Sequence, residues 1–128
     1  MAKRILVVDD NPVNLKLASE VLRLEGYAVE QAMDAEQAQE LLRESVPDLV
    51  LMDIALPGMD GLALTRWIKA DARLSRVPVV ALTAFAMKGD DQKIIEAGCD
   101  GYIAKPIDTR DLPRRVAQFL EPGDACGS

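Results

Sequence analysis

The chain contains no histidine, which removes Ser-His-Asp and Cys-His catalysis together with the commonest transition-metal ligand. Its two cysteines, Cys99 and Cys126, are too few for a disulfide scaffold. Cys126 sits in a polar terminal stretch, so both are expected as free, reduced thiols. No apolar run approaches the roughly 20 residues of a membrane span, and the apolar segment behind MAKR is too short for a secretory signal. A cytoplasmic location with no membrane partner is therefore expected. Dense Lys/Arg clusters are also missing: 15 basic residues face 21 acidic ones, for a net charge of −6, and nucleic acid is a poor partner for such a surface. The chemistry left to the chain must run on carboxylates, hydroxyls and lysine, and its metal sites must be oxygen-rich sites for hard cations.

A chain of 128 residues suits one domain and can bury about two-thirds of its unfolded surface without disulfides or structural metals. Short apolar runs at Ile5 to Val8, Leu49 to Met52 and Val79 to Leu82 read as strands, with weaker candidates at Tyr27 to Ala32 and Tyr102 to Ala104. Helical patterns lie between them. Pro12 suits a first helical position with Asn11 as its cap, Val13, Leu17, Val21 and Leu24 form an apolar stripe, and Gly26 ends the helix. Ala35, Ala38, Leu41 and Leu42 mark a second helix, and Leu64, Trp67 and Ile68 a third. Ile94 and Ile95 ahead of Gly98 mark a fourth, and Leu112, Val116, Phe119 and Leu120 a fifth. Alternation of this kind implies right-handed crossovers and a central parallel sheet covered by helices on both faces. Residues 1–120 are read as one domain and residues 121–128, EPGDACGS, as a flexible C-terminal tail.

Ligands of open parallel sheets bind outside the carboxyl ends of the strands. The first strand runs into Asp9 and Asp10, the third into Asp53, the fourth into Thr83, and the fifth into Lys105 and Pro106. Three carboxylates gathered at one rim repel one another unless a cation joins them, and an all-oxygen donor set favours Mg²⁺. Asp53, neutralised in this way, can attack phosphorus and become an acyl phosphate, with Thr83 and Lys105 holding the phosphoryl oxygens. Each residue also has an ordinary reading. Asp9 and Asp10 are good helix caps, but Asn11 before Pro12 already fills that place. Asp53 lies too far ahead of the helix start at Asp60 to Leu62 to cap it. Thr83 and Lys105 gain meaning only by convergence. Tyr102 alone reads as an aromatic packed at a sheet edge, and Cys99 as a small buried hydrophobe.

Taken together, VVDDN, LVLMDIALPGMDG, VVALTA and YIAKPI resemble the receiver domain of two-component response regulators, over Lys3 to about Leu120. The resemblance implies an α/β fold of the flavodoxin-like, CheY-like kind. That fold is a single doubly wound, five-stranded parallel sheet in the order 2-1-3-4-5 with five helices. It implies that Asp53 accepts a phosphoryl group from a histidine of a sensor kinase or phosphotransfer protein. Asp9, Asp10, Asp53 and the backbone carbonyl of Ala55 would then arrange Mg²⁺. Thr83 and Lys105 match the family's phosphate-sensing hydroxyl and lysine, Pro106 its frequently cis proline, and Tyr102 the aromatic that reorients on phosphorylation. The output is a changed affinity for a downstream protein at the face built from the fourth helix, fifth strand and fifth helix. ALTAFAMKGDDQK resembles stand-alone receivers of cell-division control, and DDNPVNLKL also resembles receivers fused to hybrid histidine kinases.

Two departures carry information. Ala55 and Phe85, two residues past Asp53 and Thr83, cannot orient an attacking water by hydrogen bonding, so slow self-dephosphorylation is expected. Ala55 also stands where a phosphatase of the haloacid dehalogenase class needs a general acid, which counts against an enzyme. A flavin-binding reading fails because DDNPVN, ahead of the first helix, would repel a cofactor phosphate.

Overall fold

The computed structural model describes residues 3–53, 61–83, 94–104 and 108–120. Its elements alternate along the chain: β1 (Arg4–Val8), α1 (Pro12–Leu24), β2 (Ala28–Ala32), α2 (Ala35–Glu44), β3 (Leu49–Asp53), α3 (Gly61–Ala70) and β4 (Val79–Thr83). The end of α4 (residues 94–96), β5 (Gly101–Ala104) and α5 (Asp111–Leu120) follow. The five strands form one parallel sheet in the order β2-β1-β3-β4-β5. The expected topology is therefore observed, and β3 and β4 run one residue further than their apolar runs, to Asp53 and Thr83.

Side chains alternate across a strand, so a strand apolar at every position must be covered on both faces. Leu6, Val8, Val50, Met52, Val79 and Ala81 pack on one face with Ala38 and Leu42 of α2, Leu64 and Ile68 of α3 and Ile94 of α4. Ile5, Val7, Leu49, Leu51, Val80, Leu82 and Ile103 pack on the other with Leu15, Ala18 and Leu22 of α1 and Leu112 and Val116 of α5. Trp67 is half-buried against the first of these layers, and the Arg43 guanidinium of α2 lies 5.9 Å from its ring centroid. Cys99 is buried and free, as expected of a small hydrophobe.

The ends of α1 follow its sequence. The Asn11 side chain accepts from the amides of Val13 at 2.9 Å and Asn14 at 3.3 Å, and Pro12 opens the helix. At the far end the Gly26 amide donates to Arg23 O and the Tyr27 amide to Leu22 O. This Schellman closure needs a left-handed residue, and Gly26 supplies it at φ +94°.

The face that α1 turns inward is rotated from the expected stripe, of which Val21 still packs against the core. Leu15, Ala18, Ser19 and Leu22 are buried, whereas Val13 is 72% and Leu24 86% exposed. Small Ala18 and Ser19 let the helix approach the sheet closely. Ser19 satisfies its buried hydroxyl by donating to Leu15 O at 2.7 Å and accepting from Gln31 Nε2 of β2 at 2.8 Å. No helix among the described residues is long and apolar enough to cross a membrane.

Candidate functional site

Because all strands are parallel, their carboxyl ends share one edge of the sheet, and β1, β3 and β4 stand side by side there. Asp9 directly follows β1, Asp10 comes next, Asp53 closes β3 and Thr83 closes β4. Each of Asp9, Asp10 and Asp53 offers one carboxylate oxygen, and these three oxygens lie within 4.8 Å of one another. The expected acidic convergence is therefore present, built from residues far apart in sequence.

The members differ in exposure. Asp9, Asp53 and Thr83 are buried, and Asp10 is exposed at the mouth. Burying carboxylates beside one another is costly unless they are hydrogen-bonded or share a cation. Asp9 is anchored at both ends: its amide donates to Ala32 O at 3.0 Å, and its Oδ1 accepts from the Asn11 amide at 2.9 Å. This chemistry fits a small hard cation. The donors are all oxygens at one edge, Asp10 opens the group to solvent, and neither sulfur nor imidazole takes part.

Thr83 pairs in register with Ala104, the residue just before Lys105 in sequence. Lys105 itself, the cis-proline candidate Pro106, the proposed carbonyl ligand at Ala55, and Phe85 lie outside the described residues. Tyr102, on β5, is half-buried against the layer formed with α2, α3 and α4. Its carbonyl accepts from Arg115 Nη2 of α5 at 3.0 Å, a direct link between strand and helix.

Sequence reasoning identified Asn11 as a helix cap and missed its second bond, to Asp9. The signal available was Asp9 itself: an aspartate leading into a turn accepts from the backbone amide two residues on, here that of Asn11. Lys69 was not singled out either. Its ammonium donates to Val77 O and Asp100 Oδ2, both at 2.9 Å, and ties the start of β4 to the approach of β5. It lies at the amino ends of those strands and is a fastening of the fold.

A profile described as the response regulator receiver domain matches residues 5–117. Among known proteins, the polar-differentiation response regulator DivK of Brucella ovis is 42% identical over 125 residues, spanning 98% of this chain and 100% of that one. A solved response regulator receiver domain protein (CheY-like) from Methanospirillum hungatei JF-1 is similar with a TM-score of 0.89 at 30% identity, covering 98% of each chain. The receiver domain of sensor histidine kinase PA1611 from Pseudomonas aeruginosa PAO1 is similar with a TM-score of 0.86 at 38% identity, covering 94% of this chain and 98% of that one. Its structure carries a magnesium ion coordinated in the active site cleft.

Proposed function

Because the chain belongs to the response regulator receiver family, we propose that Asp53 is its phosphoryl acceptor and that Asp9, Asp10 and Asp53 together hold the Mg²⁺ that transfer requires. The chain is a receiver of two-component signalling with a phosphoryl-accepting role. The observation that carries the residue assignment is the meeting of three strand-end carboxylates within 4.8 Å, with buried Thr83 closing the neighbouring strand.

In the transfer, an Asp53 carboxylate oxygen forms a bond to phosphorus while the bond from phosphorus to the donor's imidazole nitrogen breaks. The electron pair returns to that nitrogen. Mg²⁺, when bound, offsets the charge on the phosphoryl oxygens. The Thr83 hydroxyl donates to one of those oxygens, and Lys105 supplies a cation from the residue following Ala104. By its place in the sequence, two residues after Asp53, Ala55 would add a backbone carbonyl to the metal's ligands, and Pro106 directly follows Lys105.

Phosphorylation adds about −1.5 to −2 charges to a pocket already rich in acid. Thr83 and Lys105 move toward it, Tyr102 changes orientation, and the bond from Arg115 to the Tyr102 carbonyl carries the shift into α5. The face of α4, β5 and α5 then changes its affinity for a downstream protein. The phosphodonor is a histidine kinase or a histidine phosphotransfer protein, and the exchange takes place in the cytoplasm. Residues 1–120 form the receiver unit, a reading supported by the family match over residues 5–117. The chain is a switch and not a phosphatase, since Ala55 provides no general acid for a leaving group.

The test is Mg²⁺-dependent labelling from acetyl phosphate or a phosphorylated kinase. Asp53→Asn is expected to abolish labelling while far-ultraviolet circular dichroism stays unchanged. Undiminished labelling of that variant contradicts the assignment.

A further inference from the structure

We propose that Asn11 is a positioning residue for the metal: its backbone amide orients the buried Asp9 carboxylate, while its side chain fastens the same residue to the first turn of α1. The inference rests on the reading of Asp9, Asp10 and Asp53 as the Mg²⁺ pocket, and assigns a role to a residue outside the ligand set.

Every hydrogen-bonding group of Asn11 that can restrain its backbone is engaged. Its amide donates to Asp9 Oδ1 at 2.9 Å, its carbonyl accepts from the Leu15 amide at 3.0 Å, and its side-chain oxygen accepts from Val13 and Asn14. The following Pro12 keeps Asn11 extended, at φ −88° and ψ 114°. Asn11 is thus a rigid joint between a carboxylate with no solvent exposure and a helix of 13 residues. Metal-ligating carboxylates are themselves hydrogen-bonded, and such outer partners fix the ligand's orientation before the ion arrives. Asp9 has no solvent exposure, and the Asn11 amide is a donor placed two residues away that holds its carboxylate.

The consequences separate the two halves of Asn11. Its amide serves the carboxylate, and its side chain serves the helix. Asn11→Pro deletes both the amide proton and the cap, at a φ close to that of proline, Asn11→Ala deletes the cap alone and keeps the amide, and Asn11→Ser keeps both.

The experiment is isothermal titration of Mg²⁺ into the full chain and these three variants, with thermal melts in EDTA alongside. Asn11→Pro is expected to weaken Mg²⁺ binding about tenfold or more, the effect typical of losing an outer-sphere partner. Asn11→Ala is expected to melt lower in EDTA yet bind Mg²⁺ within about threefold of wild type, because the bond to Asp9 survives. Asn11→Ser should match wild type in both. Equal Mg²⁺ affinity in wild type and a folded Asn11→Pro overturns the proposal, as does an affinity loss in Asn11→Ala as large as that in Asn11→Pro. Wild type that binds no Mg²⁺ overturns the pocket itself. Amide hydrogen exchange on the wild-type chain covers the case of an unfolded proline variant. The Asn11 amide is expected to be protected in Mg²⁺, and exchange at the unprotected rate overturns the proposal.

Discussion

Replacing Asp53 with Asn should make the metal-free chain more stable, although it removes the residue on which the function depends. Two unit charges 4.8 Å apart repel by about 3 kcal/mol at an effective dielectric of about 20. Asp53 faces two such neighbours, of which Asp9 is buried and Asp10 is exposed and screened by solvent. Asn keeps the shape and an acceptor oxygen while dropping the charge, so the relief after screening is about 1–2 kcal/mol, or a rise of about 4–7 °C in melting temperature. Saturating Mg²⁺ should reverse the ranking. Binding to the folded wild type contributes about 2.7 kcal/mol at 100 times the dissociation constant, and the variant, with one carboxylate fewer, forfeits much of that gain. Thermal melts of both proteins in EDTA and in Mg²⁺ supply the four numbers needed. An Asp53→Asn chain that melts below wild type in EDTA would refute the reasoning, since it would mean that the acids do not repel across a shared pocket.

Burial pushes the Cys99 thiol above its ordinary value of 9.0, opposed by the contact with Thr65 Oγ1 at 3.6 Å. The folded chain therefore keeps its proton where the unfolded chain loses it: the stability contribution is full below pH 9.0 and is lost as pH rises toward the folded value. Denaturant midpoints under reducing conditions should fall more steeply above pH 9.0 in wild type than in Cys99→Ala, and parallel curves would contradict this. At Gly101 an added Cβ would strike the Phe119 ring of α5, so Gly101→Ala should cost about 1–3 kcal/mol by urea denaturation, and Phe119→Leu should restore part of the loss. Purified phosphoprotein should decay slowly because Ala55 and Phe85 cannot orient water, and Ala55→Asn should hasten the decay; an unchanged lifetime in that variant argues against the explanation.

The sheet was legible because β1, β3 and β4 are apolar at consecutive positions, a pattern that only two-sided cover explains, and because each of those runs stops at a chemically distinct residue. Those stops, Asp9, Asp10, Asp53 and Thr83, are the residues that meet at the edge. Asn11, Pro12 and Gly26 marked the ends of α1 through local backbone chemistry that needs no tertiary context. The inward face of that helix was not legible. It carries two apolar rows, and the larger side chains of Val13, Leu17, Val21 and Leu24 outweigh Leu15, Ala18 and Leu22 in any count of hydrophobicity. Packing chose the smaller row, since Ala18 and Ser19 permit the closest approach to the sheet and Gln31 is placed to satisfy the Ser19 hydroxyl. Which of the paired acids is buried was equally hidden. Burial of Asp9 and exposure of Asp10 follow from how the chain turns into α1, through the bonds of Asp9 to Ala32 and Asn11.

The most direct test of the central claim is to phosphorylate the chain in Mg²⁺, reduce the product with borohydride, and sequence its peptides by mass spectrometry. An acyl phosphate on aspartate is converted to homoserine, so the site is read at single-residue resolution. Homoserine at position 53 alone, lost when EDTA replaces Mg²⁺, is the result expected of a pocket in which Asp9 and Asp10 serve the metal and Asp53 takes the phosphoryl group. Homoserine at position 9, at position 10 or at an aspartate elsewhere on the surface would contradict it.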